Sequence, residues 1–111
     1  ERIELIKKSV NKMKSVKVDS FDGLMVDYAK KHSALAAIRG LRALSDFEFE
    51  FKMALMNRSL NDEISTVFLM PHEKYTHISS SLIKEVSRLG GDMSKYVPTH
   101  VEKALKGKIE K

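Results

Sequence analysis

The chain has 111 residues, of which 42% are hydrophobic and 32% are charged, and its formal net charge is +5. That length predicts one domain, and the composition is ordinary for a globular protein. The absence of cysteine excludes disulfides and thiolate zinc sites and fits the cytoplasm. No apolar run approaches the ~20 residues of a membrane span. The modest positive charge favours anionic ligands but does not by itself indicate nucleic acid.

Hydrophobic periodicity predicts alternating helices and strands, as in an α/β protein. Such alternation gives a parallel sheet joined by crossover helices. In chain order the predicted elements are a helix over 1–14, a short strand at 16–18, a helix capped by Asp22 that ends before His32, a strand over 34–38, a helix over 45–60, a strand over 64–70, a loop from Pro71, a helix over 79–89, and a last helix with Pro98 in its first turn.

The most informative motif is Arg-Gly-Leu-Arg at 39–42. It follows the strand over 34–38 and precedes a helix whose start is indicated by Ser45 and Glu48, a Ser-x-x-Glu capping box. In open α/β sheets, ligands bind in the crevice beyond the carboxyl end of a strand. Two guanidinium groups there predict an anionic ligand, because their planar fork matches phosphate or carboxylate oxygens. The alternative is two solvated surface arginines.

A second motif is the serine triplet at 79–81, which opens a helix closed by Gly90-Gly91. One serine is needed as an N-cap, and the glycines serve as a C-terminal stop. The other hydroxyls, with the free amides and positive end of the helix, predict an anion site. A solvated loop is the alternative. Because the strand over 64–70 comes before it, the triplet predicts a second strand-to-helix crevice for phosphate.

The two motifs at this separation resemble those of bacterial phosphopantetheine adenylyltransferases, the nucleotidyltransferases of coenzyme A biosynthesis. The resemblance runs from Glu1 to near the C-terminus. It implies a Rossmann-like nucleotidyltransferase fold and transfer of an adenylyl group from ATP to 4′-phosphopantetheine, giving dephospho-coenzyme A and pyrophosphate. The matching segments are 23–29, 38–43, 46–50, 56–57, 67–70 and 78–86.

One departure from this family bears on activity. Its members begin with a strand and a Gly-Thr-Phe-Asp-Pro segment that ends in Gly-His, part of a His-x-Gly-His motif. None of the four histidines, His32, His72, His77 and His100, has that context. We therefore expect one nucleotidyltransferase domain over 1–111 that lacks the N-terminal βα unit and the family's catalytic histidine. We expect the 111-residue chain alone to be inactive.

The resemblance also implies roles for individual residues. Arg39 would bind the phosphate of phosphopantetheine, while Met25 and Asn57 would contact the rest of that substrate. Met25 has a core position as its alternative, because methionine in an amphipathic helix is usually core. The residues implied for ATP binding are Gly40, Leu41, Arg42, Glu50, Tyr75, Thr76, His77, Ile78, Ser79, Ser80 and Ser81.

Two of these ATP-site residues have simpler alternatives, and a third, His77, departs from the phenylalanine or tyrosine expected in the family. Gly40 is otherwise a turn glycine, and Glu50 is otherwise one of several exposed helix acids. No protein metal site is expected, and Mg²⁺ would arrive on ATP with few protein ligands.

The partners implied are ATP, 4′-phosphopantetheine, dephospho-coenzyme A, coenzyme A as a feedback ligand, and further copies of the chain in a hexamer. No nucleic acid and no membrane are expected. A non-enzymatic remnant or oligomerising fragment remains an alternative, since a missing strand would leave a sheet edge that recruits other chains. A small nucleic-acid-binding module is disfavoured because the lysines are dispersed.

Overall fold

The computed structural model describes residues 1–109, and in them the chain forms five α-helices, two β-strands and one short 3₁₀ turn. Their order agrees with the predicted alternation from the second helix onward. The elements are α1 (Arg2–Ser9), α2 (Met25–Lys31), β1 (Ala36–Gly40), α3 (Leu44–Leu60), β2 (Ser65–Leu69), the 3₁₀ turn (Glu73–Tyr75), α4 (Ser80–Arg88) and α5 (Thr99–Ile109).

The two strands pair in parallel, as the alternation predicted. Their register runs from Ala36 opposite Ser65 to Gly40 opposite Leu69. Parallel neighbours require a long crossover connection, and α3 supplies it between β1 and β2. The carboxyl ends of both strands therefore lie at the same edge of this small sheet.

The strand predicted over 34–38 is placed two residues too early. Ser33 has a left-handed φ of 55°, and the amide of Ala34 donates to the carbonyl of Ala29 at 2.8 Å. Ala34 is thus still part of the turn that ends α2. At the other end, Leu41 donates to the carbonyl of Leu69 at 2.9 Å, so strand pairing extends past Arg39.

Three predictions near the N-terminus are wrong. The first helix ends at Ser9 instead of residue 14. Among the described residues there is no strand at 16–18, because the amide of Val16 donates to the carbonyl of Met13 in a turn. Asp22 does not cap α2. Gly23 has a φ of 100° and turns the chain, so the N-cap is Leu24, which makes no side-chain cap.

The chain divides into two compact units, Phe21–His77 and the remainder, Glu1–Ser20 with the chain from Ile78 onward. In the first unit, Val26 and Ala29 of α2 pack with Ile64, which precedes β2. This cluster is the hydrophobic core of that unit. The prediction of a single domain is untested by this division and stays a prediction.

In the second unit, α5 packs against α1 and α4. A ring nitrogen of His100 lies 2.9 Å from the carbonyl oxygen of Leu5 and 3.1 Å from Ser9 Oγ, which ties α5 to α1. The predicted stop of α4 is confirmed. Gly90 has a φ of 89°, and Gly91 donates to the carbonyl of Val86 at 2.9 Å. No helix in residues 1–109 is long and apolar enough to span a membrane.

Candidate functional site

The site begins with Arg39, the last residue but one of β1. In the parallel register it lies opposite Phe68 of β2. Its guanidinium meets Glu50 of α3 side by side, with Nε donating to one carboxylate oxygen at 2.8 Å and Nη2 to the other at 2.5 Å. Such a bidentate pair is the strongest geometry available to these two groups. Strand β1 therefore fixes the backbone of Arg39, and Glu50 on α3 fixes its guanidinium.

The pair is unequally exposed to solvent. The side chain of Arg39 is 51% exposed and that of Glu50 is 12% exposed. Hydrogen bonding by Arg39 lowers the pKa of the Glu50 carboxyl, and the bond to Glu50 raises the pKa of Arg39. Glu50 is therefore a carboxylate at neutral pH, and Arg39 is the more solvent-exposed member of the pair.

Arg42 makes a second pair with Asp46, in the first turn of α3. Its Nε and Nη2 donate to Asp46 at 3.1 and 3.4 Å, and its backbone amide donates to the same carboxylate at 3.1 Å. The side-chain and backbone bonds from Arg42 lower the pKa of Asp46. Asp46 thus fastens the turn between β1 and α3 as well as the arginine.

The predicted capping box at Ser45 and Glu48 is wrong. Helix α3 begins at Leu44, its N-cap is Ala43, and no side chain caps it. The carbonyl of Ala43 accepts from Asp46 and Phe47 at 3.0 and 3.2 Å, which puts Ser45 inside the first turn. Because Asp46 holds the amide of Arg42, the helix starts earlier than the serine would favour. Glu48 pairs with Lys52 instead.

Gly40 and Leu41 join the two arginines. The backbone of Gly40 is not left-handed, and among the described residues nothing lies within 4 Å of the place its Cβ would take. Neither a turn conformation nor tight packing in residues 1–109 therefore requires glycine here. A glycine also lets a ligand approach the backbone closely, and that role stays a prediction.

Met25 and Asn57 lie in the same unit, on α2 and α3, which pack together. Met25 packs against the core cluster of Val26, Ala29 and Ile64. Asn57 is half-buried, and its carbonyl accepts from Asn61 at 2.9 Å. Both positions are compatible with packing alone, and their substrate-binding roles stay predictions.

The predicted ATP loop starts in the 3₁₀ turn. Tyr75 is 46% exposed, and the ammonium of Lys74 lies 4.9 Å from the centre of its ring. Thr76 donates from its hydroxyl to the carbonyl of Glu73 at 2.8 Å. An exposed aromatic ring beside a cation is a suitable surface for a base, although the adenine contact is untested.

The serine triplet opens α4 in the other unit. Ser79 is the N-cap, and its Oγ accepts from the amide of Leu82 at 3.1 Å. Ser80 and Ser81 are exposed in the first turn, which holds no acidic residue. One serine therefore caps the helix as predicted, and two hydroxyls remain beside a positive helix end.

Known proteins match the chain over nearly all of its length. A family model described as cytidylyltransferase-like matches residues 1–86. Curated relatives called phosphopantetheine adenylyltransferase include that of Caldanaerobacter subterraneus subsp. tengcongensis, 51% identical over 100% of this chain and 69% of the relative. Those of Desulfosudis oleivorans and Methylococcus capsulatus are 52% and 53% identical over 98% of this chain, and cover 65% and 67% of the relative.

The chain belongs to the phosphopantetheine adenylyltransferase family. It spans about two thirds of the length of these relatives. The resemblance drawn from the two motifs is thereby confirmed, and so is the α/β nucleotidyltransferase fold class.

The sequence analysis of this chain missed the role of Asp46. Its spacing of four residues from Arg42 was the available signal, because such a spacing brings an acid and a base together when a helix begins between them. The reasoning also assigned Glu50 to ATP. The structure shows Glu50 against Arg39, and its role in the ATP site stays a prediction.

A depression lies at the C-terminal end of α3. It is an open, mostly polar space of about 460 Å³. It holds none of the residues predicted to bind ligand. Its lining residues are Asp27, Lys30, Arg58, Ser59, Leu60, Asn61, Asp62 and Glu63.

Proposed function

We propose that the chain serves adenylyl transfer from ATP to 4′-phosphopantetheine, giving dephospho-coenzyme A and pyrophosphate. The observation that carries the proposal is Arg39, held by Glu50 at the carboxyl end of β1 in a chain about half identical to phosphopantetheine adenylyltransferases. This is the edge of a parallel sheet where phosphate ligands bind, and a guanidinium fits the phosphate that distinguishes 4′-phosphopantetheine from pantetheine.

The reaction needs positioning and charge stabilisation more than covalent help from the protein. A phosphate oxygen of 4′-phosphopantetheine attacks the α-phosphorus of ATP, a new P–O bond forms, and the bond to the β-phosphate oxygen breaks. Pyrophosphate leaves with the electron pair. Holding the two phosphates in line and offering donors to their oxygens lowers the barrier to such a transfer.

Within this proposal the two motifs divide the ligands. Arg39 binds the substrate phosphate, with Met25 and Asn57 toward the pantetheine arm. The segment Gly40, Leu41 and Arg42 serves the phosphates of ATP, and so do the three serines at 79–81. The exposed ring of Tyr75 and its neighbours through Ile78 serve the adenine end, and Glu50 belongs to this ATP site or supports it.

Among residues 1–109, no group of three His, Asp or Glu side chains is placed to hold a metal ion. The two carboxylates nearest the motif, Asp46 and Glu50, already accept from arginines. We therefore propose that Mg²⁺ comes bound to the triphosphate, and we assign it no protein ligand.

The test is adenylyl transfer by this chain joined to the N-terminal segment of the Caldanaerobacter relative. We expect dephospho-coenzyme A, identified by mass, and one pyrophosphate for each product. Pantetheine without its phosphate should give no product, because it lacks both the attacking oxygen and the group that Arg39 binds. Use of CTP in preference to ATP, or transfer to an acceptor without a phosphate, would contradict the proposal.

The 111-residue chain alone is expected to bind ligand but to turn it over poorly, because it has no His-x-Gly-His motif. Loss of one preorganised charge-stabilising group typically lowers the rate roughly 10²- to 10³-fold. Pyrophosphate release by a protein of verified mass 12.6 kDa, at the rate of the joined protein, would contradict this expectation.

We also propose that the protein assembles with copies of itself, as a hexamer in the cytoplasm, with coenzyme A as a feedback ligand. Large apolar side chains on α3 support assembly, since Phe49 is 61% exposed and Met56 is 59% exposed. The exposed apolar side of the sheet, with Ile38 on β1 and Leu69 on β2, supports it further. Light scattering after size exclusion tests this, and a 12.6 kDa monomer would contradict it.

A further inference from the structure

We infer that Glu50 is a positioning residue, which holds one edge of the Arg39 guanidinium so that the other edge faces a phosphate. This goes beyond the proposed function, which connects Glu50 only with the ATP site. It rests on that proposal in one respect, namely that Arg39 binds a phosphate group.

The inference starts from the shape of the guanidinium. Its donors form two forks, one made by Nε with Nη2 and the other by Nη1 with Nη2, and each fork matches two oxygens of an oxyanion. Glu50 occupies the first fork of Arg39, at 2.8 and 2.5 Å. Within residues 1–109, Nη1 has no hydrogen-bond partner. The second fork therefore remains available to a ligand.

The carboxylate is itself well anchored. Glu50 lies in the second turn of α3, a helix of 17 residues, and its side chain is 12% exposed. Arg39 lies within β1, where its backbone pairs with β2. With strand and helix at its two ends, the arginine is ordered before a ligand arrives. Preorganisation of this kind strengthens binding because the side chain does not lose conformational entropy when the ligand binds.

The opposite role for Glu50 would be competition. A carboxylate that cancels the charge of Arg39 would weaken phosphate binding, and its removal would strengthen it. Two observations favour positioning. Glu50 occupies only one fork, and 51% of the Arg39 side chain stays exposed beside it. The two roles predict opposite signs for the same substitution.

The experiment is the substitution Glu50→Gln, compared with Glu48→Gln on the same helix. Glu48 pairs with Lys52 at 3.2 Å, and both side chains are more than 70% exposed. The substitution Glu48→Gln makes the same chemical change as Glu50→Gln, but at a carboxylate that does not pair with an arginine of the motif. Titration calorimetry of the 111-residue chain with inorganic phosphate and with 4′-phosphopantetheine gives the affinities. We expect Glu50→Gln to weaken both roughly 3- to 10-fold, the cost of ordering one flexible side chain on binding. Glu48→Gln should bind as the unsubstituted chain does.

A second readout separates positioning from general damage to the fold. The Nε–H signal of Arg39 in nitrogen–proton correlation spectra should be distinct in the unsubstituted chain. In Glu50→Gln it should broaden or move toward solvent values, and saturating phosphate should restore it in part. If Glu50→Gln fails to fold, Glu50→Asp makes the same comparison, because it keeps the charge but shortens the reach.

The outcomes distinguish the two proposals. Equal or tighter phosphate binding by Glu50→Gln, with binding by the unsubstituted chain intact, overturns the positioning role alone. Absence of phosphate binding by the unsubstituted chain overturns the assignment of Arg39 and the positioning role with it. Weaker binding together with a changed Nε–H signal supports the positioning role.

Discussion

The two predicted anion sites are built differently, although both lie where a helix begins. At the start of α3 the helix has no side-chain cap, and its surroundings hold two arginines and two carboxylates in pairs. At the start of α4 a serine caps the helix, and the first turn has no acidic residue. As proposed anion sites, one therefore offers charged side chains, and the other offers hydroxyls and backbone amides.

The difference indicates which groups would favour an anion at each helix start. The formal charge of the α3 pairs sums to zero, so an anion there gains from oriented donors more than from net charge. At the α4 start, an anion would gain from free amides and the helix dipole, which each contribute less but need no charged side chain. Substitutions at the α3 site should thus change ligand affinity most, and substitutions at the α4 site should change helix stability as well.

The largest expected effect is that of Arg39→Ala on the affinity for 4′-phosphopantetheine. It removes a charge-assisted contact worth about 1.5–3 kcal/mol, roughly a 10- to 100-fold loss of affinity. The affinity for ATP should fall less, and calorimetry with both ligands measures the difference.

Arg88→Ala is the matched control for that change. Arg88 is an exposed arginine of α4 that pairs with Glu85 three residues earlier, so it resembles Arg39 in chemistry but not in place. Its removal should leave both affinities unchanged. If Arg39→Ala weakened the two ligands equally, or neither, the assignment of Arg39 to the substrate phosphate would be wrong.

The sequence predicted the α4 start better than the α3 start, for a local reason. Capping by Ser79 depends on residues within one helical turn, and such contacts follow from spacing alone. The α3 start depends on Asp46 holding the amide of Arg42 and on β1 pairing with β2 through Gly40. Strand pairing joins residues almost thirty positions apart, so the propensity of Ser45 to cap could not reveal it.

The order of elements from α2 onward and the parallel pairing were nevertheless predictable, because hydrophobic periodicity records which segments are buried. The two carboxylate pairs were not predicted as pairs. Glu50 lies eleven residues from Arg39 and meets it only because α3 crosses back over the sheet. Such a contact follows from the three-dimensional arrangement and not from a motif.

A smaller effect is expected at the α4 start, from Ser79→Ala. Loss of a serine N-cap costs about 1 kcal/mol of stability, since the amide of Leu82 loses its acceptor. The control is Ser81→Ala, because Ser81 lies two residues after the cap, inside the first turn of α4. It should leave stability unchanged or raise it slightly, because alanine is the better helix former. Equal melting temperatures for the two variants would show that the cap contributes nothing.

The smallest expected effect is the response to acid, and it should separate the two helix starts. Bonds from Arg42 and Arg39 lower the pKa of Asp46 and Glu50. Groups with a lowered pKa in the folded state stabilise it fully above their ordinary values, which are 3.8 and 4.5. That stabilisation declines as the pH falls past those values and is gone below the lower folded-state ones.

The α4 start has no carboxylate in its first turn to titrate. Acid below pH ~4.5 should therefore perturb the amides at 44–47 and leave those at 80–83 as they were, until the whole domain unfolds. Hydrogen exchange or amide chemical shifts between pH 6 and pH 3 would measure this. The substitution Glu50→Gln should remove the part of this response that comes from protonation of Glu50. If the amides at 44–47 and at 80–83 were perturbed together at the same pH, global unfolding would govern the response to acid, and not the titration of these two pairs.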